Sequence, residues 1–391
     1  MPKKASRPAK EVGNYVSEWF GRRIYPAVKL DGIAQITGSN KNVCPFLSEM
    51  LSAKIECWKS TNSKGVCTIS SASNRVGTPA RRVRQDWLVC PHRVIHTDLV
   101  KESCARIFGA DAGERYPIPV SALRNTGKLD QFKSDILEAG RGFLFFQDKL
   151  GGEISLSGTE KNPEMSFDVT LVEVLRASDG GFDLGRYGIM EVQTMDFHGS
   201  YKGAVSALNN ALDLHRSDFP AVLENNLDWA RREVEGPNIA NVFKRTFYQM
   251  LIKFQLSSGN AAAGTVLTLP KSVWDSWQPF LGGPALAETG EGYSVIKGAP
   301  ATALNAFICV FDIDATAVSG REGETGVAGA KDISPIRIET FIKVDPQTLS
   351  HYAFTEVPSE ILRNIAGSDL ILVSIRNRLS ALWPELARAL P

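Results

Sequence analysis

Two neighbouring segments constrain this chain more than anything else in it. Ser166 to Leu175 reads SFDVTLVEVL and Arg186 to Met195 reads RYGIMEVQTM, both β-branched and alternating. Side chains on a strand change faces with a period of two, so each segment predicts a strand with one buried face. Between them lies Ser178-Asp179-Gly180-Gly181, a turn composition that makes the two strands adjacent partners. Glu191 and Gln193 then face the same way, and Asp168 lies on the adjoining strand. Two carboxylates converging from neighbouring strands repel each other unless a cation sits between them or one holds a proton. Mg²⁺ suits such a pair: it takes one or two carboxylates, keeps several waters and accepts phosphate oxygens from a substrate. Glu153, on a short strand predicted over Gly151 to Ser157, can add a third acid. The bland alternative is a half-exposed sheet face with solvated acids.

The cysteines are the second constraint. Cys44, Cys57, Cys67 and Cys90 fall close together, at gaps of 13, 10 and 23 residues, with Cys104 and Cys309 elsewhere. No apolar run follows the basic stretch Met1 to Lys10, so no secretory signal is expected and a reducing cytoplasm is the default compartment. Disulfides are then not expected. Four thiolates can close a tetrahedral shell around zinc or iron, or the residues can be small buried core groups. Cys44 and Cys90 each precede a proline, and Gly65 allows close backbone approach near Cys67. Cys104 and Cys309 read as core.

Along its 391 residues the chain divides into a disordered basic arm (1–12), a loop-rich region bearing the four cysteines (13–120) and an α/β domain (121–391). Helices are expected over 123–139, 200–215, 219–234, 238–257 and 370–388, strands over 264–269, 306–313 and 335–344, and a Gly- and Ala-rich loop over 314–332. In the 238–257 helix an apolar stripe runs through Val242, Phe243, Phe247, Met250 and Phe254, with Lys244, Arg245 and Lys253 off it. The net charge of +1 excludes a wholly basic nucleic-acid binder but not a local patch. Segment 64–108 carries eight Lys or Arg against three acids, and Arg75 to Arg84 reads as an exposed basic loop. No run approaches ~18 consecutive apolar residues, so no membrane span is expected.

A Pro163…Asp168 step followed by Glu191-Val192-Gln193 resembles the active-site pattern of the PD-(D/E)XK nucleases, although the Pro–Asp gap is five and Gln193 stands at the lysine position. Longer blocks extend the likeness: Cys44-Pro45-Phe46-Leu47, Gly65-Val66-Cys67, Asp86-Trp87-Leu88-Val89-Cys90-Pro91, Lys149-Leu150-Gly151-Gly152-Glu153, Glu191 through Lys202 and Asn241 through Met250. Together, from about Asn14 to Phe280, they resemble type II restriction endonucleases of that superfamily that carry a four-cysteine metal site. The resemblance implies a nuclease core, a mixed sheet flanked by helices, beside a small N-terminal four-cysteine metal-binding region. It implies Mg²⁺-dependent cleavage of a GC-rich palindrome in double-stranded DNA by a homodimer in the bacterial cytoplasm, with a companion DNA methyltransferase. Glu153, Asp168, Glu191 and Gln193 would be the catalytic set, the three acids binding Mg²⁺. Cys44, Cys57, Cys67 and Cys90 would hold a structural iron or zinc ion. Gln193 cannot titrate and would orient water or a ligand; Lys149, Lys161 or Lys202 would supply the missing ammonium. Arg81, Arg82, Arg84, Lys202, Lys244 and Arg245 are candidate DNA contacts, and His198 could approach DNA. The segment from Cys67 to Cys90 is longer here than the pattern, so base choice can differ. The competing class is a metal-stabilised, sequence-specific DNA-binding regulator that does not cut.

Overall fold

The computed structural model describes residues 13–385 apart from 27, 31–35, 75–81, 96–97, 110, 113–114, 161–162, 314–334, 366–369 and 381. The basic arm, most of the basic loop including Arg81, Lys161 and the Gly- and Ala-rich loop therefore lie outside the described residues.

The N-terminal part is an antiparallel sheet of β1 (Tyr15–Trp19), β2 (Arg22–Arg23), β3 (Val66–Asn74) and β4 (Arg82–Leu88), ordered β2-β1-β3-β4. Helix α1 (Pro45–Leu51) lies between β2 and β3, and α2 (Pro91–Ile95) and α3 (Leu99–Phe108) follow β4. Then come β5 (Ile118–Pro119), α4 (Thr126–Ala139), β6 (Arg141–Phe146), β7 (Ile154–Leu156), β8 (Met165–Phe167), β9 (Val169–Arg176) and β10 (Phe182–Val192). Helices α5 (Lys202–His215), α6 (Phe219–Glu224) and α7 (Ile239–Gln255) lead to β11 (Ala262–Pro270) and α8 (Lys271–Leu281). The chain continues through β12 (Leu286–Glu288), β13 (Ser294–Ile296), β14 (Ala306–Ile313), β15 (Ile336–Lys343), α9 (Pro346–His351), α10 (Val357–Ile365) and α11 (Leu370–Leu379). The large sheet has nine strands, ordered β12-β13-β15-β14-β11-β10-β9-β6-β5, and β7-β8 form a separate ribbon.

This is an α/β chain with a large mixed sheet flanked by helices. The β9–β10 pair is antiparallel, as the alternation and turn predict, while β10, β11 and β14 run parallel. Parallel strands covered on both faces read as continuous apolar runs, and β11 is buried from Ala263 to Pro270. Helix α4 ends where expected: Gly140 sits at φ +82°, its N–H donating to the Ile136 carbonyl at 2.8 Å. The helix expected over 219–234 is instead broken: α6 stops at Glu224, and a 3₁₀ turn covers Leu227–Arg231. One apolar core runs from Val16 and Trp19 through Phe197, Leu208 and Phe254 to Leu349; a second, containing Cys104, Met190 and Cys309, packs on the opposite face. Among the described residues no helix is long and apolar enough to cross a membrane.

Arg93, counted in the sequence as part of a basic surface segment, is buried. Its Nε lies 3.3 Å from Glu18 Oε2, which also accepts from the Thr68 hydroxyl at 2.6 Å. Burial pushes the Glu18 carboxyl up, but Arg93, Arg23 and Thr68 together hold it below its ordinary value. Because the folded value is the lower one, this stabilisation is present at neutral pH and lost as pH falls through it. Glu18→Ala removes the carboxylate of a buried ion pair and is expected to cost ~3–5 kcal/mol. Urea unfolding reads this as a lowered midpoint, and an unchanged midpoint would contradict it.

Candidate active site

The register of the sheet sets the acids in a row. β10 pairs with β9 with Met190 opposite Val169, so one further step puts Glu191 opposite Asp168. β7 pairs with β8 with Ile154 opposite Phe167, so the same step puts Glu153 opposite Asp168. The side chains divide this row. Asp168 and Glu191 line one cavity of about 500 Å³ with Gln193, Arg245, Tyr248, Gln249 and Lys253. Glu153 is exposed and does not line it.

Asp168 is held by the backbone next to Glu191: the Val192 N–H donates to its Oδ2 at 2.9 Å. Lys253, on α7, places its ammonium 2.5 Å from Glu191 Oε2, and both side chains are buried. Burial, reinforced by the charge of Asp168, pushes the Glu191 carboxyl up to about 7 against the pull of Lys253. The other oxygen, Glu191 Oε1, is buried without a hydrogen-bond partner. An unsatisfied carboxylate oxygen in a cavity lined by a second carboxylate is a donor set of the kind that a small divalent cation such as Mg²⁺ takes.

Lys253 is the residue that the sequence misplaces. Its buried position puts it on the inner face of α7 with Thr246 and Met250, at i, i+4 and i+7. Lys149 and Lys202 do not supply the ammonium here, being exposed and absent from the cavity lining; Lys161 lies outside the described residues. Gln193 is pinned, its Oε1 accepting from the Thr246 hydroxyl and its Nε2 donating to the Thr194 carbonyl. It ties the end of β10 to α7.

The other candidate cations scatter. Arg245 lines the cavity and pairs with Asp196 at 2.8 Å, while Lys244 is exposed on the same helix. Arg84 donates to the Ser70 and Gly13 carbonyls and stacks over the Tyr15 and Tyr25 rings at 5.2 and 5.1 Å. Arg82 opens β4, opposite Asn74. His198 is exposed.

The four cysteines gather inside the N-terminal core, all buried. Cys44 precedes α1, Cys67 lies on β3 and Cys90 precedes α2. Gly65 sits at φ +81° with its position against Phe20, where a Cβ would come within 2.6 Å of the ring, and its N–H donates to Cys57 Sγ at 3.5 Å. A hydrogen bond from the Cys67 thiol, helped by Lys59 and His92, holds the Cys90 thiol well below its ordinary value, toward thiolate. Burial pushes Cys44 up to about 12. The donor set is one that iron and zinc take. Among the described residues, however, no three His, Cys, Asp or Glu side chains stand in metal-holding geometry. No protein-family profile matches this chain, and no curated protein matches it significantly.

Proposed function

We propose that this chain is a type II site-specific deoxyribonuclease of the PD-(D/E)XK kind, hydrolysing phosphodiester bonds in double-stranded DNA with Mg²⁺. It acts as a homodimer on a palindrome, GC-rich as the sequence resemblance implies, because a two-fold protein reads a two-fold site. The observation that carries the reading is the opposition of Asp168 and Glu191 in one cavity, with a free buried oxygen on Glu191 and Lys253 on its other oxygen. The large mixed sheet flanked by helices is compatible with such a core.

Asp168 and Glu191 would hold Mg²⁺, which when bound supplies positive charge to the phosphate in the transition state and lowers the pKa of water. Lys253 opposes the burial and the Asp168 charge that favour protonation of Glu191, and brings a cation to the cavity wall. Gln193, fixed by Thr246, keeps the end of β10 at a constant distance from α7. Arg245 lies where a phosphate beside the cut would pass. Glu153, exposed on the rim of the same register row, is available to a water or to a metal ion arriving with substrate.

The test is long duplex DNA incubated with purified protein. Discrete fragments with Mg²⁺ and none with a chelator are expected. A mobility shift without cutting would favour the DNA-binding regulator.

Cys44, Cys57, Cys67 and Cys90 would hold an iron or zinc ion in a structural role, a closed thiolate shell leaving no position open for catalysis. Cys57→Ser is expected to lose that metal and most of the soluble yield, since binding and folding of such a region are coupled. Elemental analysis of the purified wild type that finds neither iron nor zinc would contradict the assignment.

A further inference from the structure

A second space borders the candidate catalytic cavity across α7. Tyr248 and Ile252 line the cavity and also line a wider groove of about 790 Å³. α7 forms one wall of that groove; α9 and the π-helical turn Tyr352–Glu356 form the other. Two aromatic side chains stand in it largely open to solvent, Tyr248 at 63% and Phe354 at 67% exposure. Phe354 is oriented: its ring meets that of buried Phe247 edge to face, with centroids 5.8 Å apart and planes at 71°. A π-helical turn is a rare geometry that recurs at functional sites, and here it presents Phe354.

The rest of the lining decides the ligand class. Leu251, Ile252, Leu256 and Pro346 make most of the groove apolar, Gln255 and Gln347 offer amides at its edge, and among the described residues no lysine or arginine lines it. His351 is paired with Glu356 at 3.0 Å. A groove without cations does not track phosphates. Flat rings beside amide groups suit a neutral nucleobase, stacked by its face and hydrogen-bonded at its edge.

We propose that this groove is a base-stacking subsite, which rests on the endonuclease reading above. A nucleobase next to the scissile phosphate leaves the duplex stack and lies against Tyr248 and Phe354, while its phosphate stays in the cavity with Arg245 and Lys253. No covalent step is involved, and the gain is position and discrimination at one base.

The experiment uses the full-length protein and duplexes carrying 2-aminopurine at each position flanking the mapped cut, with Ca²⁺ replacing Mg²⁺ to allow binding without cleavage. Fluorescence at one flanking position is expected to change on binding. That change is lost in Phe354→Ala and Tyr248→Ala and retained in Tyr248→Phe, which keeps the ring. With Mg²⁺, Phe354→Ala is expected to raise KM about 5- to 100-fold, with a smaller effect on kcat. Cleavage by the wild type with no responsive position, or with KM unaltered in Phe354→Ala, overturns the subsite and leaves the endonuclease standing. Conversion of a dimer to a monomer by Phe354→Ala, seen by sedimentation, assigns the groove to a second copy of the chain and overturns it too. Absence of any cutting by the wild type removes the parent reading and the subsite with it.

Discussion

Asp168→Ala protein is expected to bind a duplex containing its site as tightly as the wild type and to cut it about 10³-fold more slowly, or not at all. Asp168 has one oxygen on the Val192 N–H and the other available to the cavity. Removing the carboxylate would take away one of the two acids of the proposed cation site and leave the proposed DNA-contacting surface unchanged. The β9–β10 pairing from Val169 and Met190 onward does not depend on this side chain, so the sheet survives. The comparison is single-turnover cleavage against a mobility shift in Ca²⁺. Full cleavage by the variant would reject the site, and equal loss of binding would reject Asp168 as a residue acting mainly on the chemical step.

Lys253→Met is expected to lower cleavage at neutral pH by about 10²-fold or more. Two effects combine. The cavity loses its ammonium, and Glu191 loses the partner that opposes burial and the charge of Asp168. Its carboxyl, already pushed up to about 7, rises further, so a larger fraction is protonated and unable to ligate. In the wild type Mg²⁺ competes with the proton for Glu191, so cleavage should fall as pH drops, at a point that moves lower as Mg²⁺ is raised; in Lys253→Met the acidic limb lies at higher pH at the same Mg²⁺. Metal-free protein supplies an independent readout. The folded pKa of Glu191 is raised, so its relative stabilisation is full below the unfolded carboxylate value and is lost as pH rises through about 7. Between those limits the effect is on the order of 3 kcal/mol, and Glu191→Gln should not show it. Urea midpoints that follow pH identically in wild type and Glu191→Gln would refute the buried acid, whatever the cleavage assay reports.

The sheet pair and its acids were legible in the sequence because both rest on local rules. Alternation put Glu191 and Gln193 on one face, the Ser-Asp-Gly-Gly turn paired the strands, and Asp168 fell one step before β9. Lys253 was not legible, since a lysine just beside an apolar helical stripe ordinarily extends its ammonium to solvent. Only the arrival of α7 against the end of β10 makes its burial favourable, and that contact joins positions 62 apart. The same non-local cause buries Arg93 on Glu18, across 75 positions, and removes it from the basic surface that its neighbours in sequence imply. Glu153 shows the reverse: strand register places it correctly in the row, and side-chain direction then turns it to solvent. The cysteines converge as their number suggests, yet spacing could not distinguish a closed metal shell from packed thiols. Buried cysteines can be accommodated either as metal-bound thiolates or as packed thiols.

The most direct measurement is sequencing the ends produced when purified protein digests a large DNA of known sequence with Mg²⁺, run beside Asp168→Ala and Glu191→Gln. Ends that all map to one short palindrome in the wild-type digest, and intact DNA with both variants, are the predicted result. Uncut DNA in every lane, or the same ends from the variants, would contradict a nuclease built on these two carboxylates.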